Sequence, residues 1–221
     1  MEPRPLNIIQ LQCPKVRRRG LWKNPAFLSL WAGQTISLLG DQVSNLALPL
    51  TAAIVLGASP AEMGILGALQ VLPYLLLGLF VGALVDRWPR RPVLITADIG
   101  RALLLSIIPI AFVLGVLRLE VLFGVALGVG IFNVFFVVAY SAFVPSVVAA
   151  TDLVESNSRL ALSQQVARVV GPGIAGALVQ FLNAPAAIAV DAFSFLVSAG
   201  SLGRIRVDDR GSEADGSGQL L

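Results

Sequence analysis

Residues 61–117 read AEMGILGALQVLPYLLLGLFVGALVDRWPRRPVLITADIGRALLLSIIPIAFVLGVL, two long apolar runs joined by a short charged loop. Each run exceeds the roughly 20 residues needed to cross ~30 Å of hydrocarbon at a rise of ~1.5 Å per residue. The loop between them, Gly82 to Pro92, carries Asp86, Arg87, Arg90 and Arg91. Four charges beside a bilayer are costly unless they are needed there. At the least they fix which side of the membrane is which.

The whole chain repeats this pattern. Of its 221 residues, 56% are hydrophobic and only 13% charged, and the mean hydropathy is +0.82. One soluble core could not hide that much apolar surface, whereas a bilayer can. The net charge of +3 comes from basic residues at membrane edges, so it sets orientation and gives no basic patch for nucleic acid. Histidine is absent and Cys13 is the single cysteine. An internal disulfide, a multi-cysteine zinc site, haem ligation and histidine catalysis are thereby excluded. An intramembrane enzyme would be left with Ser, Asp and Arg combinations alone. The expected class is a non-enzyme without cofactor or metal.

Six segments qualify as spans: Phe27–Val55, Ala61–Val85, Val93–Leu117, Val121–Val148, Leu160–Leu182 and Ala184–Leu202. The breaks hold turn chemistry, such as Gly57-Ala58-Ser59-Pro60 and Asn183-Ala184-Pro185. The longer polar break before Arg159 contains Thr151, Asp152 and Glu155, and reads as a short helix lying on the membrane surface. Residues 1–24 form a basic, proline-containing arm, 25–204 the membrane bundle, and 205–221 a polar tail. If both ends face the cytoplasm, only Arg118 of the sixteen Lys and Arg falls outside. That topology satisfies the positive-inside bias. The first span is too long and starts too late to be a cleavable signal.

Gly82-Ala83-Leu84-Val85-Asp86-Arg87-Trp88-Pro89-Arg90-Arg91 resembles the cytoplasmic signature of the major facilitator superfamily, G-x-L-x-D-[RK]-x-G-[RK]-[RK]. Pro89 replaces the usual glycine, which stiffens the turn. LWAGQTISLLGDQVSNLALPL (30–50) resembles the first helix of the macrolide and siderophore exporter branch. FVPSVVAATDLVESNSRL (143–160) and ARVVGPGIAG (167–176) resemble its fourth loop and fifth helix. The resemblance, over about residues 22–204, implies an all-α bundle of six transmembrane helices built as a 3+3 inverted repeat. It implies a secondary exporter of hydrophobic or amphipathic compounds, driven by a proton or other ion gradient through alternating access. Family members have twelve spans in two halves, and this chain matches the first. A fragment, a truncated product or a half-unit that pairs with a second half or with itself are the alternatives. A six-span assembly partner that does not transport alone is the competing reading.

Several polar residues stand out against this apolar background. Asp86, Arg87, Arg90, Arg91, Asp98 and Arg101, with Gly82, form a cytoplasmic cluster that reads either as a latch between bundles or as a topology determinant. Asp98 and Arg101, at i and i+3, can pair. By the resemblance, Asp86 caps a helix of the second half. Asp41 lies near the middle of span one, where a carboxylate costs several kcal/mol unless it faces protein or water. At 100° per residue Gln34, Ser37, Asp41, Ser44 and Asn45 fall within an arc about 100° wide. This stripe reads as a water-facing wall, with Asp41 as the protonatable site, or as interhelical hydrogen bonding.

Arg168 in span five, on one face with Gln164, is the expected counter-charge to Asp41. Gly171, Pro172, Gly173 and Gly176 resemble the antiporter motif of the fifth helix, and bend it or pack it. Gln70 and Tyr74 on span two, and Asn133 and Tyr140 on span four, are candidates for orienting an aromatic or amphipathic ligand. Asp191 on span six reads as structural. Asp41 with Asn133, and Asp98 with Asp191, occupy similar depths in the two three-span repeats. The expected cavity is lined by spans one, two, four and five. The expected partners are the bilayer, a small-molecule substrate and a coupling ion.

Overall fold

The computed structural model describes residues 24–85 and 87–205. The N-terminal arm before Asn24, the acid Asp86 and the tail beyond Ile205 lie outside the described residues. Six long helices form the bundle: α1 Pro25–Leu50, α2 Pro60–Val85, α3 Arg90–Val113, α4 Leu119–Val147, α5 Leu153–Leu182 and α6 Ala184–Arg204. A π-helical turn, Thr51–Val55, extends α1, and a 3-10 turn, Ala150–Asp152, leads into α5. All six helices are long and apolar enough to cross a bilayer. The expected count of six spans holds.

The separate surface helix before span five does not form. α5 starts at Leu153 and runs on through the polar stretch, because no proline or glycine interrupts it before Gly171. Glu155 and Arg159 pair at 2.7 Å across one turn of this segment.

The turns are capped by short side chains. Asn24 accepts from the N–H groups of Ala26 and Phe27 and donates through Nδ2 to the Val147 carbonyl at 3.0 Å, tying the start of α1 to the end of α4. Ser59 and Glu62 form a capping box at α2, with the Ser59 N–H donating to Glu62 Oε2 at 2.7 Å. Asn183 takes φ 72°, which lets α5 and α6 join through a single residue, and its side chain accepts from the Ala186 N–H.

Packing follows one path. α2 lies on α4, α4 on α3, α3 on α6, α6 on α1, and α1 on α5. Exchanging α1 with α4, α2 with α5 and α3 with α6 leaves this neighbour pattern unchanged. Each repeat has an odd number of spans, so the second is inverted relative to the first. α3 and α6 are mutual images and pack together, so they flank the symmetry axis.

Between lipid and helix there is little hydrophobic gain, so close approach of small residues drives association. The α1–α6 seam shows this best. Gly33 faces Ser201, and Gly40 faces Ser194 and Asp191, with Ser37, Ser44 and Ala47 buried on the same side of α1. The apolar interior falls into two layers. One gathers Phe27, Leu94, Phe143 and Leu202, and the other Ala47, Ile108, Leu122 and Ile188. A polar layer of Ser37, Ser44, Asp98, Arg101, Asp191, Ser194 and Ser198 is buried between them.

Gly130 meets Pro73 of α2 and Gly128 meets Leu104 of α3. Gly78, Gly82 and Gly124 have open space where a Cβ would stand.

Candidate functional site

The polar layer is organised around Arg101. Its guanidinium pairs with Asp98 one turn earlier on α3 and donates from Nη1 to Asn133 Oδ1 of α4 at 3.2 Å. It lies between two rings, 4.2 Å from the Phe136 centroid and 4.1 Å from that of Phe195. Rings on both faces replace part of the hydration a guanidinium loses on burial. Arg101 is 2% exposed and Asp98 is fully buried. This pair is not part of a rim cluster. α3 begins at Arg90, so Asp98 stands eight residues along it, ~12 Å in by helix rise.

The rest of the charged loop divides further. Arg91 donates from Nε to the Leu202 carbonyl at 3.0 Å and from Nη2 to that of Gly203 at 2.5 Å. It satisfies the last carbonyls of α6 within the bundle. Arg87 is exposed and Arg90 half-buried. Arg91→Ala should cost about 1 kcal/mol by removing two partly exposed hydrogen bonds. Thermal unfolding in mild detergent would read this as a lowered midpoint, with Arg87→Ala unchanged.

Beside the Arg101 pair lies a cavity of about 250 Å³. Its polar lining is Asp41, Ser44 and Asn45 from α1, Gln70 and Tyr74 from α2, Asn133 from α4 and Asp191 from α6; Phe195, Leu105 and Val129 are among its apolar walls. Five of the sequence candidates, Asp41, Asn45, Gln70, Tyr74 and Asn133, therefore meet at one place. They do so because α1 and α4 are images in the repeat, and Asp41 and Asn133 stand at equivalent depths. Asp191 is buried, and its Oδ1 accepts from Ser194 Oγ at 3.0 Å. Ser44 lies buried beside the same carboxylate as a second hydroxyl neighbour.

Other candidates lie elsewhere. Ser37 is buried in the α1–α6 seam, and Gln34 sits half-buried nearer the start of α1. Tyr140 stacks on Phe136 with centroids 5.6 Å apart. Its hydroxyl is buried without a hydrogen-bond partner among the described residues. The expected approach of Asp41 and Arg168 is not made. Arg168 and Gln164 are exposed on α5, and the cation whose field Asp41 feels is Arg101. α5 turns its small stripe Ala167, Gly171 and Ala175 inward, which leaves Gln164 and Arg168 outside.

A Cβ on Gly171 would stand 2.6 Å from Gln42 Cβ, so this glycine serves close packing of α5 on α1. Gly173 and Gly176 have open space, and α5 continues as helix through Pro172. The cavity is thus lined by α1, α2, α3, α4 and α6, with α6 where α5 was expected. Sequence reasoning missed Asp191 as a cavity residue, and Phe136 and Phe195 as the clamp on Arg101. The one available signal was the repeat itself, which makes Asp191 the image of Asp98.

A six-span bundle of paired three-helix repeats, with a polar cavity at mid-depth, defines the fold class of a membrane transporter. The Major Facilitator Superfamily profile matches residues 30–219, and the chain belongs to that family. It is a multi-pass membrane protein of a transporter family and not an enzyme. The chain is 30% identical over 172 residues to the uncharacterized MFS-type transporter YfiS of Bacillus subtilis (strain 168), covering 78% of this chain and 40% of that protein. It is 38% identical over 111 residues to an uncharacterized MFS-type transporter of Mycobacterium tuberculosis, covering 49% and 25%. To macrolide efflux protein A of Streptococcus pyogenes it is 26% identical over 189 residues, covering 84% and 45%. The chain spans less than half the length of these curated relatives. No solved structure gives a significant match.

Proposed function

We propose that these residues form the N-terminal six-helix half of a secondary exporter of hydrophobic or amphipathic small molecules. Export would be coupled to an ion gradient by alternating access, with the substrate held in the mid-depth cavity. The observation that carries this reading is the convergence of Asp41, Asn45, Gln70, Tyr74 and Asn133 on one cavity between apolar layers. A few polar groups in an otherwise apolar pocket orient a ligand without demanding one shape. Asp41, a carboxylate at mid-membrane facing that cavity, is the group assigned to proton exchange with the gradient. Both termini are assigned to the cytoplasm, which keeps Arg87, Arg90, Arg91 and Arg204 inside.

The test is dye transport in inverted membrane vesicles. Asp41→Asn should cut gradient-driven accumulation of an amphipathic dye by about tenfold or more at equal protein abundance. An unchanged rate would sink the coupling role.

A second reading rests on a different observation. α2 and α5, the two ends of the packing path, are the least buried spans, and Leu79, Phe80, Val169 and Phe181 stand largely exposed. With the chain under half the length of its relatives, transport by these six spans would require a second six-helix half seated on those faces. In that case flux is absent from the chain alone and appears when a second half is supplied.

A further inference from the structure

We infer that a groove between α3 and α4, beneath the loop that joins α2 to α3, holds one acyl chain of an anionic phospholipid, with Arg87 and Arg90 at the head group. The groove shares no residue with the mid-depth cavity, and the inference does not depend on what the bundle transports.

Packing creates the groove. α2 and α3 both lie on α4 and hardly touch each other, so their connecting loop passes over α4. Under the loop is a cavity of about 330 Å³. Trp88 and Pro89 close its end, Phe132 and Phe135 of α4 form one wall, and α3 forms the other from Pro92 to Ala97. Thr96 is the one polar side chain in the lining, and its hydroxyl donates to the Val93 carbonyl at 3.0 Å. The walls therefore present hydrocarbon. They are also preformed. Pro89 and Pro92 stiffen the mouth, because ring closure fixes their φ. Phe132 is seated on Gly100 of α3, where a Cβ would stand 2.6 Å from the ring. Pro89 takes the place of the glycine of the superfamily signature, so this end of the groove is a feature of this chain.

Length and surroundings select a lipid chain. Below Thr96 the same face of α3 continues as exposed aliphatic surface, Ile99 and then Leu103. From Pro92 to Leu103 the helix rises ~16 Å, close to one leaflet of a ~30 Å hydrocarbon core. An extended chain lying along α3 covers that whole path. Left unfilled, an apolar groove of this size would forfeit dispersion contacts on both walls.

Charge selects the head group. Arg91 commits its guanidinium to the last carbonyls of α6. Arg87, exposed, and Arg90, half-buried, flank Trp88 and Pro89, and their guanidiniums make no ion pair or hydrogen bond among the described residues. Even with Asp86 counted, the loop keeps a positive balance. Trp88 is 47% exposed, as suits an indole at the head-group level. A phosphodiester with no amine of its own complements two free guanidiniums, whereas a zwitterionic head group brings a competing cation to them.

The experiment is quenching of Trp88 fluorescence by brominated lipid, with the purified full chain in nanodiscs of phosphatidylcholine and a minor share of phosphatidylglycerol. The bromines are carried by the phosphatidylglycerol in one set and by an equal share of the phosphatidylcholine in the other. Subtracting the signal of Trp88→Phe removes Trp22 and Trp31. Phosphatidylglycerol should be preferred about fivefold or more, the effect of one arginine near an anionic lipid. Equal quenching by the two lipids overturns the inference without any further variant. Arg87→Gln combined with Arg90→Gln should bring the ratio close to one, and a preference that survives overturns the role of these arginines. Thr96→Phe, which puts a ring into the groove from its exposed wall, should abolish the preference while both arginines remain. If a folded Thr96→Phe chain keeps the full preference, the lipid lies outside the groove and the site is refuted.

Discussion

Arg101→Met is expected to destabilise the bundle by about 3–5 kcal/mol, the cost of breaking a buried ion pair by removing one partner. Asp98 is fully buried on α3, and its direct cation is Arg101. Methionine restores the volume of the stem but leaves the Asp98 carboxylate uncompensated. It also empties the space between the rings of Phe136 and Phe195, and removes the donor to Asn133. Arg101 reaches α4 through Phe136 and Asn133 and α6 through Phe195, so one substitution loosens three helices. Unfolding in mixed SDS micelles measures the loss. The double variant Asp98→Asn with Arg101→Met should recover most of it, because both charges are then gone. A single variant that unfolds within about 1 kcal/mol of the unaltered chain would show that the pair contributes no more than a surface bridge does.

The six spans were legible because apolar runs and bilayer thickness leave few alternatives. Their ends were less so. The runs were bounded where hydrophobicity stopped, whereas the helices continue into polar residues wherever no breaker intervenes. α5 gains its first turns at Leu153 in this way, and α3 starts at Arg90. Five of the cavity residues could be read from single-helix stripes, since a polar residue on an apolar span has to face something other than lipid. What one-helix periodicity does not supply is the neighbour across the gap. Arg168 was matched to Asp41 by charge and depth alone. The small stripe Ala167, Gly171 and Ala175 faces α1, and it rotates Arg168 away.

The better guide was symmetry. A repeat that exchanges α3 with α6 sets both beside its axis, so Asp98 and Asp191 enter one polar layer, although Asp191 alone reads as structural. The charged loop misled for a related reason. Residues close in sequence read as one device, but seven to ten residues of helix carry Asp98 and Arg101 ~10–15 Å deeper than Arg91. Arg91 spends its donors on the end of α6, and the buried pair serves the interior.

Packing against α6 makes Gly40, like Gly33, a tightly constrained position on α1. Gly40→Leu should destabilise the bundle by on the order of 3 kcal/mol or more, at the upper end for overpacking. A Cβ there would lie 2.8 Å from Ser194 Cβ and overlap the Ser194 hydroxyl and the Asp191 carboxylate. The first atom of any side chain therefore makes Ser194 and Asp191 shift or parts α1 from α6. Gly40→Ala should show a smaller loss of the same kind. Relief would come through rotation of Asp191 toward the cavity or retreat of α6. Gly67→Ala is the matched control, since a Cβ at that α2 position meets no atom within 4 Å and alanine favours helix. It should be neutral or slightly stabilising in the same micelle assay. If Gly40→Leu accumulates and unfolds like Gly67→Ala, the α1–α6 seam is looser than its serines and glycines imply, and Asp191 is not held by it.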